Sequence, residues 1–175
     1  MKPTILLDMD GVLVHNNQRF LDLLNKKFGT SYAKTDIKDF HYSCFSYNQR
    51  SYLYSLWNGP DIYDDAELGQ KEMKVIEKLR SLGRVVACTA PLEGHIQGKY
   101  RWLRKHFDKM DIIIAHDKTM VRGDFLVDDA IHNLDVFPGT PICYTQPWNL
   151  DWQGYRVDSF QEIPSAITHH LKATP

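Results

Sequence analysis

Ile5-Leu6-Leu7-Asp8-Met9-Asp10-Gly11-Val12-Leu13-Val14 is an apolar run stopped by two carboxylates two residues apart, with a glycine directly after them. The run is long enough for a buried strand. Because strand side chains alternate, Asp8 and Asp10 are expected to face the same side. Gly11 lets the backbone leave the strand at angles that a residue with a Cβ resists, which opens the amides beyond Asp8 toward whatever binds there. Two carboxylates at a strand end repel unless a cation or a shared proton relieves them. Mg2+ suits the position, since it takes oxygen ligands and brings phosphate oxygens with it.

Outward from that strand, the periodicity of Phe20, Leu21, Leu24 and Phe28 predicts a helix over Gln18–Phe28 that stops at Gly29. The segment 15–64 then holds eleven of the chain's twenty-one aromatic residues and no clear strand pattern, which reads as a small helical insertion that needs a core of its own. A strongly amphipathic helix follows over Ala66–Leu82, closed by Gly83. Beyond it, short runs rich in β-branched residues alternate with helices. Val85–Cys88 leads to Thr89, Ile112–Ala115 follows a helical Lys99–Phe107, Phe125–Val127 leads to Asp128 and Asp129, and Pro141–Tyr144 is a further strand. A last helix is expected over Ile163–Leu171, with Pro164 in its first turn. This alternation predicts an α/β fold, a Rossmann-like parallel sheet covered by helices on both faces. Residues 1–14 and 65–175 form the core, and 15–64 form a helical cap inserted after the first strand.

The bulk properties narrow the function. At 175 residues the chain is one domain with a modest insertion, and its formal net charge of -1 provides no field for gripping a nucleic-acid polymer. Cys44, Cys88 and Cys143 form no close-spaced pair, which argues against a disulfide framework or zinc site and fits a reducing cytoplasm. No apolar run is long enough to span a bilayer, and acidic residues interrupt the apolar start before it could serve as a signal peptide. These properties leave room for a small, locally bound anion. A homodimer is compatible with them.

In open α/β sheets ligands bind beyond the carboxyl ends of the strands. The residues closing the runs are Asp8 and Asp10, then Thr89, then Asp128 and Asp129, with Lys118 in the loop before the last pair. Four carboxylates there require a counter-ion, and a divalent cation with a phosphate dianion would be held by carboxylates, a hydroxyl and an ammonium together. This ordered set resembles the haloacid dehalogenase superfamily of phosphotransferases. Thr89-Ala90-Pro91, Gly98-Lys99-Tyr100-Arg101-Trp102, Asp117-Lys118-Thr119, Leu126-Val127-Asp128-Asp129 and Ser55-Leu56-Trp57 near the end of the insertion are similar to the 5'(3')-deoxyribonucleotidases within it.

The resemblance implies a magnesium-dependent phosphatase acting on a nucleoside monophosphate. Asp8 would be the nucleophile that forms an aspartyl-phosphate, and Asp10 the acid and then the base. Asp8, the carbonyl of Asp10, and Asp128 or Asp129 would ligate Mg2+; which of the late pair is the inner ligand stays open. Thr89, the Ala90 amide, Lys118 and Lys99 would contact the phosphate. For the nucleobase, Trp57 is the leading stacking candidate and Phe45 a second. Two positions depart from the family pattern. Ala90 stands where a second hydroxyl is common, and Ala130 where an arginine commonly follows the acidic pair. The rival readings are a phosphatase for a sugar phosphate or other small ester, and a signalling receiver module, which would place its acidic pair and insertion differently.

Overall fold

A computed structural model describes residues 2–59, 62–90 and 94–173; Pro91 of the second motif lies outside the described residues. The elements in chain order are β1 (Thr4–Leu7), α1 (Asn16–Phe28), α2 (Tyr47–Trp57), α3 (Gln70–Leu82), β2 (Arg84–Thr89), α4 (His95–His106), β3 (Asp111–Ile114), β4 (Phe125–Asp128), α5 (Ile131–Leu134), β5 (Thr140–Tyr144), β6 (Arg156–Val157) and α6 (Ile163–Ala173). The strands form one parallel sheet in the order β3-β2-β1-β4-β5-β6. The chain builds outward from β1 to one edge and then returns to build the other. The order therefore reverses between β1 and β4, and that reversal leaves a crevice beyond their carboxyl ends.

β1 is central because its side chains are apolar on both faces. Ile5, Leu6 and Leu7 are fully buried, each worth about 1.5–3 kcal/mol relative to exposure. Ile5 and Leu7 join a large cluster with Phe20, Leu24, Ile76, Leu79, Trp102, Leu103, Ile163 and Ile167, whereas Leu6 joins a small one with Val86, Cys88, Val121, Leu126 and Phe137. The buried apolar side chains of α1, α2, α3, α4 and α6 all belong to the large cluster. On the second face the buried cluster draws Val121 and Phe137 from connecting segments. The β3 to β4 connection has as regular structure a single 3-10 turn at Lys118–Met120, and α5, which packs on β4 and β5, is four residues long.

Within 15–64 the segment is helical, with α1, a 3-10 turn at Lys34–Asp36, and α2. Gly29 ends α1 in the left-handed conformation, with φ 64°, which a residue without Cβ adopts at no steric cost. Ser46 caps α2 by accepting from the Gln49 amide, and the Gln49 side chain returns the contact to the Ser46 amide, a reciprocal box that satisfies two donors at the helix start. α3 begins at Gln70, four residues later than expected. Gly69 at its N-cap is extended, and the Ala66 carbonyl is taken by the Trp102 indole at 2.7 Å.

Candidate active site

β1 ends at Leu7, and the Asp8 amide still donates to the Val127 carbonyl of β4 at 2.9 Å, which sets Asp8 at the strand-order reversal. β4 carries Asp128 to the same level. Lys118, from the turn before β4, reaches between them: its ammonium lies 2.8 Å from Asp8 Oδ1 and 2.5 Å from Asp128 Oδ2, with no exposed side-chain surface. Asp8, Asp128 and Asp129 are all buried, with one carboxylate oxygen from each within 4.8 Å of the others. One ammonium faces three carboxylates, and the deficit appears in their protonation. Burial, reinforced by Asp128 and Asp10 and opposed by Lys118, pushes the Asp8 carboxyl up to about 7. Burial and then Asp128 hold Asp129 well above the usual carboxylate range. Burial works against the Lys118 ammonium, but Asp8 and Asp128 more than offset it and keep the lysine charged.

The late acidic pair divides its contacts unequally. Asp128 accepts from Lys118, from the Ala130 amide at 2.9 Å and from Asn133 Nδ2 at 3.1 Å. The Asp129 carboxylate takes no hydrogen bond among the described residues, while its backbone carbonyl is tied to Asn149 Nδ2 at 2.8 Å. Its carboxylate rests against Gly11, whose φ is +84°; a Cβ there would sit 2.4 Å from Asp129 Oδ2. Gly11 is thus needed for its backbone angle and for the close approach of a carboxylate.

A second group of contacts surrounds Asp10. Its carboxylate faces Lys99 Nζ at 2.9 Å and the Tyr63 hydroxyl, which donates to Oδ1 at 2.8 Å and Oδ2 at 3.0 Å. Lys99 also donates to Thr89 Oγ1 at 2.6 Å and to the Ala90 carbonyl at 2.8 Å. Thr89 and Ala90 accept hydrogen bonds from the ammonium, while Asp10 faces it as an ion pair. Thr89 Oγ1 accepts from Lys99 and donates its own proton to the Ala90 carbonyl across a long 3.4 Å contact, which a stronger acceptor at the strand ends would displace. Asp8 and Asp10 therefore take different partners, because β1 has ended before either and the turn Met9–Val14 orients Asp10, tied by Leu13 and Val14 amides to the Met9 carbonyl. The metal ligand expected from Asp10 was its carbonyl; its carboxylate belongs to this second group, apart from the three-carboxylate cluster.

The two aromatic candidates lie in the packing of the insertion. Phe45 is buried and meets Tyr32 edge-on at 4.8 Å. Trp57 is half-buried, edge-on to Phe20 at 4.8 Å, and its indole donates to the Tyr42 hydroxyl at 2.8 Å, which itself donates to Asn17. Residues that the sequence alone did not single out complete the site. Tyr63 has no pattern that marks it. Gln146 Nε2 donates to the Gly11 carbonyl at 2.7 Å, and Asn149 is clamped in turn by Arg156 of β6. Their one legible signal is the polar Gln146-Pro147-Trp148-Asn149 stretch directly after an apolar strand.

The chain is 26% identical to the 5'(3')-deoxyribonucleotidase of Bacillus subtilis, over 93% of this chain and 97% of that protein. Among solved structures, a haloacid dehalogenase-like hydrolase of Streptococcus pneumoniae superposes with a TM-score of 0.63 at 16% identity, over 95% of this chain and 98% of that one. A haloacid dehalogenase-like protein of Agrobacterium tumefaciens gives 0.65 at 12% identity, over 98% and 100%. Those structures share the fold with this chain. The model of the family described as 5' nucleotidase, deoxy (pyrimidine), cytosolic type C matches residues 2–173, and with a site of this construction on this fold the chain belongs to that family of haloacid dehalogenase-type phosphatases.

Proposed function

We propose that the protein is a magnesium-dependent phosphomonoesterase that converts a deoxynucleoside or nucleoside monophosphate to nucleoside and phosphate through a phospho-aspartate on Asp8, in the cytoplasm. The observation that carries the reading is the buried set of Asp8, Asp128 and Asp129 around the single ammonium of Lys118. Three carboxylates and one lysine leave about two negative charges unbalanced, and the donors are all hard oxygens, so a divalent ion of the magnesium type fits. Asp8 and Asp129 would hold it: Asp128 already spends both oxygens on Lys118, Ala130 and Asn133, whereas Asp129 has a carboxylate without a hydrogen-bond partner among the described residues. When bound, such an ion neutralises charge on the phosphate and on the attacking carboxylate.

The chain's own groups supply the rest. A carboxylate oxygen of Asp8 attacks phosphorus in line and forms a P–O bond, while the ester P–O bond breaks and the leaving oxygen takes a proton from Asp10. Water then gives its proton to the Asp10 carboxylate and attacks phosphorus, and the bond to Asp8 breaks to release inorganic phosphate. Lys118 keeps Asp8 aligned, and the Thr89 hydroxyl donates to a phosphoryl oxygen. The insertion 15–64, acting as a cap over residues 1–14 and 65–175, would shield the intermediate from other solvent and contact the leaving group. Trp57, held by Tyr42, is the surface proposed for a base, with Phe45, packed on the same Tyr42 ring at 6.2 Å, as the second candidate.

The test is phosphate release from a panel of 5' and 3' nucleoside monophosphates and sugar phosphates, with magnesium and with chelator, beside Asp8→Asn. Nucleotide turnover that chelator stops and Asp8→Asn abolishes supports the reading. Turnover confined to sugar phosphates rejects the nucleotide assignment, and a fully active Asp8→Asn rejects the nucleophile.

A further inference from the structure

We propose that Tyr63 is a positioning residue for Asp10, fixing the carboxylate that protonates the departing nucleoside; the inference rests on the phosphatase reading above. Tyr63 is fully buried at the end of the insertion, yet its hydroxyl straddles both oxygens of Asp10, at 2.8 and 3.0 Å. Lys99 faces the same carboxylate as an ion pair, 2.9 Å from Oδ2, and gives its hydrogen bonds to Thr89 and Ala90. One ammonium contact restrains a carboxylate as a charge without fixing its plane. A phenol donating across both oxygens does fix it. The Asp10 side chain retains 22% of its surface exposed, so without the phenol it has room to turn.

The tyrosine ring is itself held. His95 packs edge-on against it, with centroids 5.8 Å apart and planes at 79°, and is also buried, with both ring nitrogens lacking a hydrogen-bond partner among the described residues. The imidazole therefore contributes shape and does not compete with Asp10 for the phenol proton. Burying a hydroxyl is costly unless it is hydrogen-bonded, and here Asp10 is the acceptor. Tyr63 comes from the insertion and Asp10 from the turn after β1, so the contact also makes the proton donor's alignment depend on how the insertion is seated.

Protonation matters for a poor leaving group and little for a good one, and the test uses that difference. A nucleoside departs as an alkoxide that needs a proton, whereas p-nitrophenolate departs unaided. For Tyr63→Phe, kcat/KM on a nucleoside monophosphate should fall about 10- to 100-fold, a fraction of what general acid catalysis supplies. On p-nitrophenyl phosphate it should stay within about threefold of the parent. A variant that folds poorly loses both activities in equal proportion, so the ratio of the two remains readable whatever the yield of folded protein. Tyr63→Phe added to Asp10→Asn should cause no further loss on the nucleotide, since the two act as one unit. Equal losses on both substrates, an unchanged nucleotide rate, or additive losses in the double variant would overturn the proposal while leaving the phosphatase reading intact, provided Asp8→Asn abolishes both activities. A parent protein that releases phosphate from neither substrate would overturn both.

Discussion

Replacing Gly11 with alanine separates what the backbone needs from what the site needs. At φ +84° a Cβ is strained by about 1–2 kcal/mol, equivalent to a melting temperature lower by about 2–8 °C in a domain of this size. The new methyl also arrives 2.4 Å from Asp129 Oδ2 and 2.7 Å from its Cγ, about 1 Å inside comfortable contact. The Asp129 backbone cannot retreat easily, because Asn149 holds its carbonyl and Arg156 holds Asn149. The side chain must therefore turn, and misplacing a ligand by about 1 Å costs on the order of a hundredfold in rate. Gly29→Ala is the control: its φ is +64°, but nothing lies within 4 Å of its Cβ, so it should lose stability and keep activity. Phosphate release titrated with Mg2+ and thermal melts, run on both variants, give the comparison. Gly11→Ala should show a rate about a hundredfold lower and a magnesium requirement shifted upward by about tenfold or more (about 1.4 kcal/mol of ligand affinity). If Gly11→Ala instead melts like Gly29→Ala and retains the parent's rate and metal dependence, Asp129 is not a ligand and the assignment fails.

Two further outcomes follow from the same charges and a third from the aromatic insertion. Lys118→Met removes the ammonium that pairs with both Asp8 and Asp128; at neutral pH without metal, denaturant melts should show a loss of about 3–5 kcal/mol, shrinking toward about pH 5 as Asp8 takes up a proton. For the metal-free parent the sign runs against the usual carboxylate. Asp8 titrates near 7 when folded against 3.8 when unfolded, so between about pH 4 and 7 its own contribution to stability falls as pH rises, while His15 and His95, held below the usual imidazole range by desolvation, contribute the opposite slope. In chelator the parent should therefore lose stability relative to Asp8→Asn across that window; a parent that does not would contradict the buried cluster, and saturating Mg2+ should flatten the difference. Trp57→Phe keeps a ring and loses the hydrogen bond to Tyr42, so it should destabilise by about 1 kcal/mol and raise KM for nucleotides more than it lowers kcat, as steady-state kinetics would show.

How much was legible in the sequence depended on whether a residue's role was written in its neighbours. The strands were readable because short β-branched runs have few alternatives, and the strand-end placement of Asp8, Thr89 and Asp128 was readable because each closes such a run. The insertion's α2 carried a readable start in Ser46 and Gln49, but its aromatic residues have no helical periodicity to locate it. β6 is two residues long, below what any periodicity can mark. Tyr63 and Gln146 act through pairings 53 and 135 residues distant in sequence, which no local pattern encodes. Lys99 shows the limit most clearly. Its place on an amphipathic helix was compatible with a solvated face, yet only 2% of its side chain is exposed, because α4 starts at His95 and turns that residue toward the strand ends.

The first motif holds two aspartates two residues apart, and the proposed mechanism gives them different work. Alternation along a strand would have given them one environment. Ending β1 at Leu7 removes that symmetry. Asp8 stays in register with β4 and inherits a shared lysine and two carboxylates. Asp10 rides a turn closed by Met9 and Val14 and inherits a lysine, a phenol and partial solvent exposure. Under the proposed mechanism one carboxyl group is the nucleophile and the other the proton donor, roles that need different surroundings, and the break in the strand supplies them at no cost to the sheet, because the Asp8 amide still completes the ladder to Val127. The position of Gly11 follows from this geometry. The turn that reorients Asp10 needs a positive φ, and the space a Cβ would have filled is where Asp129 enters, so one glycine permits both the division of roles and the third carboxylate of the cluster.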